Sequence, residues 1–225
     1  MKTIIITGTS RGIGAELVKQ FAADNHRVIA VSRKENPEFA ALNNVYYHAV
    51  DLSNEAQLAA FANELKDKFG SVDVLIHNAG TIVNKPFAEI SAAEFEYVYK
   101  VNVFGVAALN RVVLPLMPKG SHVVTVSSMG GIQGSLKFPG LAAYSSSKGA
   151  VITLSELLAE EYKEQGVAFN VLALGAVQTE MLQEAFPGYQ APINPEGMAT
   201  YIKDFALNGT KYFNGKVLQV SSTTP

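Results

Sequence analysis

The sequence predicts a doubly wound α/β fold, a parallel sheet with helices on both faces. Three observations carry that expectation. Short apolar runs alternate with stretches of helical periodicity along nearly the whole chain, the pattern of repeated βαβ units. The runs are continuous rather than alternating, as in parallel strands buried on both faces. The residues that close them, Gly8, Ser32, Asp51, Asn78, Ser127, Ser128 and Gly175, are small or polar. In such sheets ligands bind outside the carboxyl ends of the strands, so these positions outline a candidate site.

The elements follow in order. Thr3 to Thr7 is a β-branched run that stops at Gly8, a buried strand ahead of a turn. From Gly12 to Asp24, apolar residues at Ile13, Leu17, Val18 and Phe21 fall on one helical face. Arg27 to Ser32 returns to an apolar strand, and Asn44 to Val50 is a weaker one ending at Asp51. Asn54 to Phe69 predicts a helix, with Asn54 as N-cap and Gln57 at the capping-box position. Val72 to His77 is the next strand. Ser91 to about Val113 predicts one long helix, opened by the capping box Ser-Ala-Ala-Glu. His122 to Ser127 predicts a strand, Ala142 to Gln165 a helix, and Ala168 to Leu174 a strand. Beyond Gly175 the pattern loosens as far as Pro195. A short helix from about Glu196 to Leu207 and a strand near Lys216 to Val220 close the chain.

Composition sets bounds. With 225 residues, 48% of them hydrophobic, the chain fits one domain, 1–225, around one well-buried core. A formal net charge of −2 argues against a nucleic-acid or polybasic membrane surface. The sequence has no cysteine, which excludes disulfides, thiolate metal sites and cysteine nucleophiles. The opening Met-Lys-Thr-Ile-Ile-Ile-Thr-Gly is too short in apolar residues for a signal peptide, and no run approaches a membrane span. A cytoplasmic, soluble protein is the expectation.

Two stretches carry chemistry. Tyr144 and Lys148 stand four residues apart at the start of a predicted helix, a spacing that stacks both side chains on one face. A neighbouring ammonium favours the phenolate and would lower the tyrosine's pKa, fitting it for proton transfer near neutral pH. Tyr212 and Lys216 share the spacing, but Asn214-Gly215 between them signals a turn rather than a common face. The second stretch is Thr7-Gly-Thr-Ser-Arg-Gly-Ile-Gly14, between the first strand and the first helix. Its glycines permit a tight turn and let backbone N–H groups approach a pyrophosphate at the helix N-terminus. The spacing of Gly8, Gly12 and Gly14 differs from G-x-G-x-x-G, so the support comes from the strand–turn–helix context.

Together with Asn78-Ala79-Gly80 after a strand, Asn102 in the next helix, and Ser128, these stretches resemble the short-chain dehydrogenases/reductases over essentially the whole chain. The resemblance implies a Rossmann-type single domain with Tyr144 as general acid or base. Lys148 would tune Tyr144 and hold the ribose of a nicotinamide nucleotide. Ser128 would bind the substrate oxygen, and Asn102 would anchor a water leading to Lys148. The cofactor would rest on Gly8, Ser10, Arg11, Gly12, Ile13 and Gly14 of the turn. It would also contact Ser32 and Arg33, Asp51 and Leu52, Asn78, Ala79 and Gly80, Tyr144 and Lys148, and Gly175, Val177 and Thr179. Against the family pattern, the gap from Ser128 to Tyr144 is slightly long, consistent with an insertion around Gln133 to Leu141. Leu174-Gly175 stands where Pro-Gly is common. A short substrate-binding segment is expected at about 180–207, over an open pocket.

The cofactor has its own clue. NAD-binding folds place a carboxylate at the end of the second strand to hold the ribose 2′-OH. This chain has Ser32-Arg33-Lys34 there and Arg11 in the turn, and arginine forks to a 2′-phosphate. NADP(H) is the expected cofactor. His26, His48, His77 and His122 lack metal-ligand spacing, so no metal is expected. Serines 145 to 147 lack a partnered histidine and make a poor hydrolase. The expected activity is reduction of a small carbonyl compound to an alcohol, or the reverse. An epimerase or dehydratase relative and a non-catalytic NADP(H) sensor remain as alternatives. Apolar residues Val101, Val103, Val106, Leu109, Leu154, Leu157 and Leu158 exceed one core stripe and suggest a homodimer or homotetramer, with 221–225 as a further candidate contact.

Overall fold

Parallel pairing is what the continuous apolar runs require, and the computed structural model, which describes residues 1–222, builds it. Seven strands form one sheet in the order β3-β2-β1-β4-β5-β6-β7. They are β1 (Thr3–Thr7), β2 (Arg27–Ser32), β3 (Val45–Ala49), β4 (Val74–His77), β5 (His122–Ser128), β6 (Ala168–Leu174) and β7 (Lys216–Val220). All six pairings are parallel. The order reverses direction between β1 and β4, which opens a crevice at their carboxyl ends.

Alternation along a strand sends neighbours to opposite faces, and β1 shows the result. Ile4 and Ile6 pack with Leu17, Val18 and Phe21 of α1 (Gly12–Ala23) and with Ile202 of α7 (Pro195–Asn208). Ile5 packs with Leu58, Phe61 and Leu65 of α2 (Glu55–Phe69) and with Leu109 and Val113 of α4 (Gly105–Val113). All three isoleucines are fully buried. The single core is thus two apolar layers divided by the sheet.

Several elements differ from expectation, each for a local reason. The predicted long helix is α3 (Ala92–Tyr99) and α4, joined by a wide π-type turn over Lys100–Phe104. An added residue inside a helix leaves its average apolar spacing nearly intact, so periodicity does not reveal it. The Ser91–Glu94 capping box forms in full. At α2, Asn54 accepts from the Gln57 N–H at 3.1 Å, but the Gln57 side chain accepts from the Asp51 N–H instead, so the box is half made. α5 (Ala142–Glu161) stops short of Gln165; the chain turns through Gly166, at φ +74°. The unpredicted helix α6 (Glu180–Ala185) starts where the Thr179 hydroxyl accepts from the Leu182 N–H. The last helix gains a residue at each end, with Asn194 as its cap. Of the 221–225 contact suggested by the sequence, residues 223–225 lie outside the described residues.

Candidate active site

The glycine turn is braced from the far side of the crevice. The Thr7 hydroxyl accepts the N–H groups of Asn78 (3.1 Å) and Ala79 (3.0 Å), while the Asn78 amide donates to the carbonyls of Thr7 and Gly8. Asn78 therefore holds the turn against β4 with its own side chain. Gly14 is obligatory, because a Cβ there would lie 2.1 Å from the Gly8 carbonyl oxygen. The N-cap of α1, Arg11, makes no side-chain cap bond, which leaves the first-turn N–H groups available to an anion. The Arg11 guanidinium instead forks to the Glu184 carboxylate of α6 at 2.5 and 2.9 Å.

At the end of β2 the Ser32 hydroxyl accepts from Thr9 and donates to the Lys34 carbonyl. It thereby shapes the bend that carries exposed Arg33 and Lys34. Arg33 donates to the Tyr97 hydroxyl at 2.7 Å. Burial works against the Asp51 carboxylate, yet hydrogen bonds from Ser53 and the charge of Arg33 hold its pKa below the ordinary value.

Tyr144 and Lys148 do share a face of α5. Lys148 is 5% exposed and its ammonium donates to the Val126 carbonyl of β5 at 2.9 Å. Burial lowers its pKa to about 8. The expected depression of the tyrosine is not found. Burial pushes the Tyr144 phenol up, and the Ser128 hydrogen bond works against that rise. The reason is geometric: the ammonium points to a carbonyl, 5.7 Å from the centre of the phenol ring, so desolvation outweighs charge. The adjacent serines divide the work. The Ser127 hydroxyl donates to the Lys148 carbonyl at 2.8 Å, whereas Ser128 lies beside the phenol.

Asn102, 1% exposed, sits in the wide turn after α3. Its amide binds both backbone groups of Thr81 and donates to the Ser147 hydroxyl at 2.9 Å, which itself donates to the Tyr144 carbonyl. Ser147 thus connects Asn102 to the helix that bears Tyr144, a link its place in a serine run does not reveal. Between them lies Gly80. A Cβ on Gly80 would stand 3.4 Å from the Lys148 ammonium and 3.5 Å from the Asn102 carbonyl oxygen.

These groups open onto one cavity of about 1530 Å³ along the strand ends. Of the residues singled out from the sequence, all but Gly14 and Asn102 line it. Gly14 packs behind the turn and Asn102 behind Gly80. The sequence placed a substrate segment at about 180–207 without naming Met181, Leu182, Phe186 and Tyr189 within it or the helix α6, and it missed Leu136 and Phe138 of the loop after β5. The sequence suggested an insertion around Gln133 to Leu141 but gave no sign that its residues would form part of the wall. The four histidines make structural contacts: His26 accepts from the Lys2 N–H, His48 pairs with Glu64, His77 with Asn110, and His122 with Asn170 and the Ala206 carbonyl.

A doubly wound sheet, a cleft at its switch point and an uncapped helix N-terminus on the glycine turn define a fold of the Rossmann type. Comparison with known proteins narrows the class. The family model described as short chain dehydrogenase matches residues 2–190. The NADPH-dependent pterin aldehyde reductase of Arabidopsis thaliana is 33% identical over 232 residues, 97% of this chain and 93% of that protein. The ketoacyl reductase HetN of Nostoc sp. is 33% identical over 190 residues, 80% of this chain but 65% of HetN. Among solved structures, ElxO with NADP bound superposes with a TM-score of 0.86 at 26% identity, covering 98% of each chain. This chain belongs to the short-chain dehydrogenase family of oxidoreductases.

Lys148 generates a prediction for stability. Its folded pKa, about 8, lies below the ordinary 10.5, so between those values the unfolded chain binds the extra proton. Stability conferred at this position is therefore lowest below about pH 8 and rises as pH climbs towards 10.5. Lys148→Met removes the buried charge, and after allowance for the lost Val126 bond it should stabilise the ligand-free protein by about 1–2 kcal/mol at pH 7. Urea denaturation at pH 7 and pH 10 should show that gain shrinking at the higher pH.

Proposed function

We propose that the protein is an NADPH-dependent oxidoreductase that reduces a small carbonyl compound to an alcohol, or runs the reverse reaction, with Tyr144 as general acid or base. The observation that carries this is the placement of Ser128 beside the Tyr144 phenol, with Lys148 beneath, in the cavity that begins at the glycine turn. The residues fit the cofactor. The uncapped N-terminus of α1 would take the pyrophosphate. Gly80 lies beside the Lys148 ammonium, where a Cβ would be within ordinary contact of it, and Lys148 would hold the ribose there. Arg33 and Lys34 would meet a 2′-phosphate, with Ser32 offering no carboxylate to repel it. Arg11 is held by Glu184, so we place the preference on Arg33 and Lys34. The relatives described as NADPH-dependent or NADP-bound support the same choice.

Bound NADPH would supply the hydride. Ser128 would orient the substrate oxygen, and Tyr144, kept protonated by its buried surroundings, would donate the proton. Lys148, titrating near neutrality, could then be charged to stabilise the resulting phenolate. Asn102, fixed by Thr81 and Ser147, would steady the proton's return path. Residues 1–225 would act as one cofactor-binding domain, in the cytoplasm. We assign the substrate segment to 179–189, narrower than 180–207, because α7 buries Met198, Ile202 and Phe205 in the core. Assembly belongs to the same reading. Val106 and Leu109 are core residues, but Phe104 and Leu157 are 58% and 63% exposed, and a two-fold contact between the α3–α4 and α5 faces would cover them.

Tyr144→Phe should lower carbonyl-dependent NADPH oxidation by roughly 10²–10⁴-fold while NADPH fluorescence titration changes little; wild-type turnover by this variant would sink the mechanism. Arg33→Ala should raise the Michaelis constant for NADPH about ten- to a hundredfold and leave that for NADH nearly unchanged, as steady-state kinetics with both cofactors would show. Light scattering at micromolar protein should give a dimer or tetramer mass, and a monomer mass would refute the assembly.

A further inference from the structure

The loop between Ser128 and Tyr144 carries features that proton chemistry does not explain. Lys137 lies at its centre and turns inward on the loop. Its ammonium donates to the carbonyls of Gly130 and Ile132 and to the Ser135 hydroxyl. The residues on either side, Leu136 and Phe138, line the cavity and remain 55% and 46% exposed. A charged residue thus serves as the staple, and its apolar neighbours face the ligand space.

Two other walls are pinned to this loop. The Lys85 N–H donates to the Gly140 carbonyl at 3.0 Å, and the Asn84 amide donates to the Ala185 carbonyl at the end of α6 at 2.8 Å. A Cβ on Gly140, at φ +89°, would fall 2.2 Å from the Asn84 side-chain oxygen, so only glycine permits this junction. Beyond α6, Phe186 and Tyr189 complete the apolar frame.

Charge is distributed to match. The cations lining the cavity are Arg11, Arg33, Lys34 and Lys148. Arg11 is neutralised by Glu184, and Lys148 lies buried under Tyr144. Arg33 and Lys34 follow β2, three strands from β5 in the sheet order, or about 14 Å at ordinary strand spacing. Lys137 is saturated by its own loop, and the nearby acidic lining residue, Glu180, would repel an anion. Among the described residues no cation is left to receive a substrate carboxylate or phosphate beside Tyr144.

We infer that the substrate is an uncharged ketone or aldehyde carrying an aryl or branched alkyl group, clamped by Leu136 and Phe138 against Phe186 and Tyr189. This rests on the oxidoreductase reading above and specifies its substrate class. Bound NADPH would supply the hydride to the carbonyl carbon and Tyr144 the proton to its oxygen, giving the alcohol and NADP⁺, with a proton from solvent restoring Tyr144.

The test compares 4-phenyl-2-butanone with 2-oxo-4-phenylbutanoate, which share a phenylethyl group and differ by a carboxylate, and uses 2-butanone as the small reference. Wild-type kcat/KM should favour the neutral phenyl ketone over the keto acid by at least roughly tenfold. In Phe138→Ala the ratio of kcat/KM for the phenyl ketone to that for 2-butanone should fall roughly tenfold, chiefly through KM. Lys137→Met should shift the same ratio in the same direction, because the loop loses its staple. Phe138 is half-exposed, so its removal leaves the core untouched. Preference for the keto acid, or an unchanged ratio in Phe138→Ala, would overturn the inference. If no carbonyl compound is turned over, the activity reading fails, and saturation-transfer NMR on the NADPH-loaded protein decides the clamp separately. Selective binding of the phenyl ketone that is weakened in Phe138→Ala would uphold the clamp, and equal or absent binding of the two ligands would overturn it.

Discussion

The ammonium of Lys148, buried against the Val126 carbonyl, is the interaction on which the site depends. A charged amine with one backbone acceptor is costly to bury, and the surrounding structure is arranged to keep it there. The Ser127 hydroxyl binds the Lys148 carbonyl, fixing α5 to β5 at the same level. Ser147, one residue earlier, ties α5 to Asn102 and so to the loop after β4. β5, the loop after β4 and the wide turn that bears Asn102 therefore converge on one turn of helix, and that turn also presents Tyr144. Removal of water from the pair raises the phenol and lowers the amine to about 8, so in this structure the phenol holds its proton more tightly than the amine and their affinities lie further apart than in water.

The cavity has two characters. Near β1, β2 and β3 its wall is the glycine turn, Ser32, Arg33 and Asp51, with polar groups held by short local bonds. Near β5 and β6 it is framed by loops that touch mainly through backbone carbonyls and glycine. The first half is tied to the sheet by these bonds; the second is where side chains can change without disturbing the sheet. That division fits a family whose relatives here include a pterin aldehyde reductase and a ketoacyl reductase, since loops can vary while the scaffold remains.

The sheet was legible in the sequence because its strands are buried on both faces and announce themselves as apolar runs; Thr3–Thr7 and Ala168–Leu174 have the boundaries expected. The glycine turn and the Tyr144–Lys148 pair were legible because local spacing alone brings their parts together. What could not be read depends on contacts distant in sequence. Arg11 meets Glu184, 173 residues away, and nothing in either neighbourhood specifies it. The raised phenol reflects burial, a property of the assembled fold, while helical spacing reports only proximity. α6 is six residues long, too short for periodicity to distinguish from a loop.

The wide turn over Lys100–Phe104 has a consequence for how this chain can tolerate change in length. An α-helix advances about 100° per residue, so the added residue sets α3 and α4 out of phase with each other. α4 faces the sheet with Leu109 and Val113, while α3, with Val98 buried, packs against α5, and the phase offset serves both contacts. Losing one residue here would restore an unbroken helix and improve its local hydrogen bonding, yet it would swing one of these faces, or Asn102, away from its partners. The most regular version of this segment is therefore a nonfunctional one, and the irregularity is a register mark that insertions and deletions cannot cross.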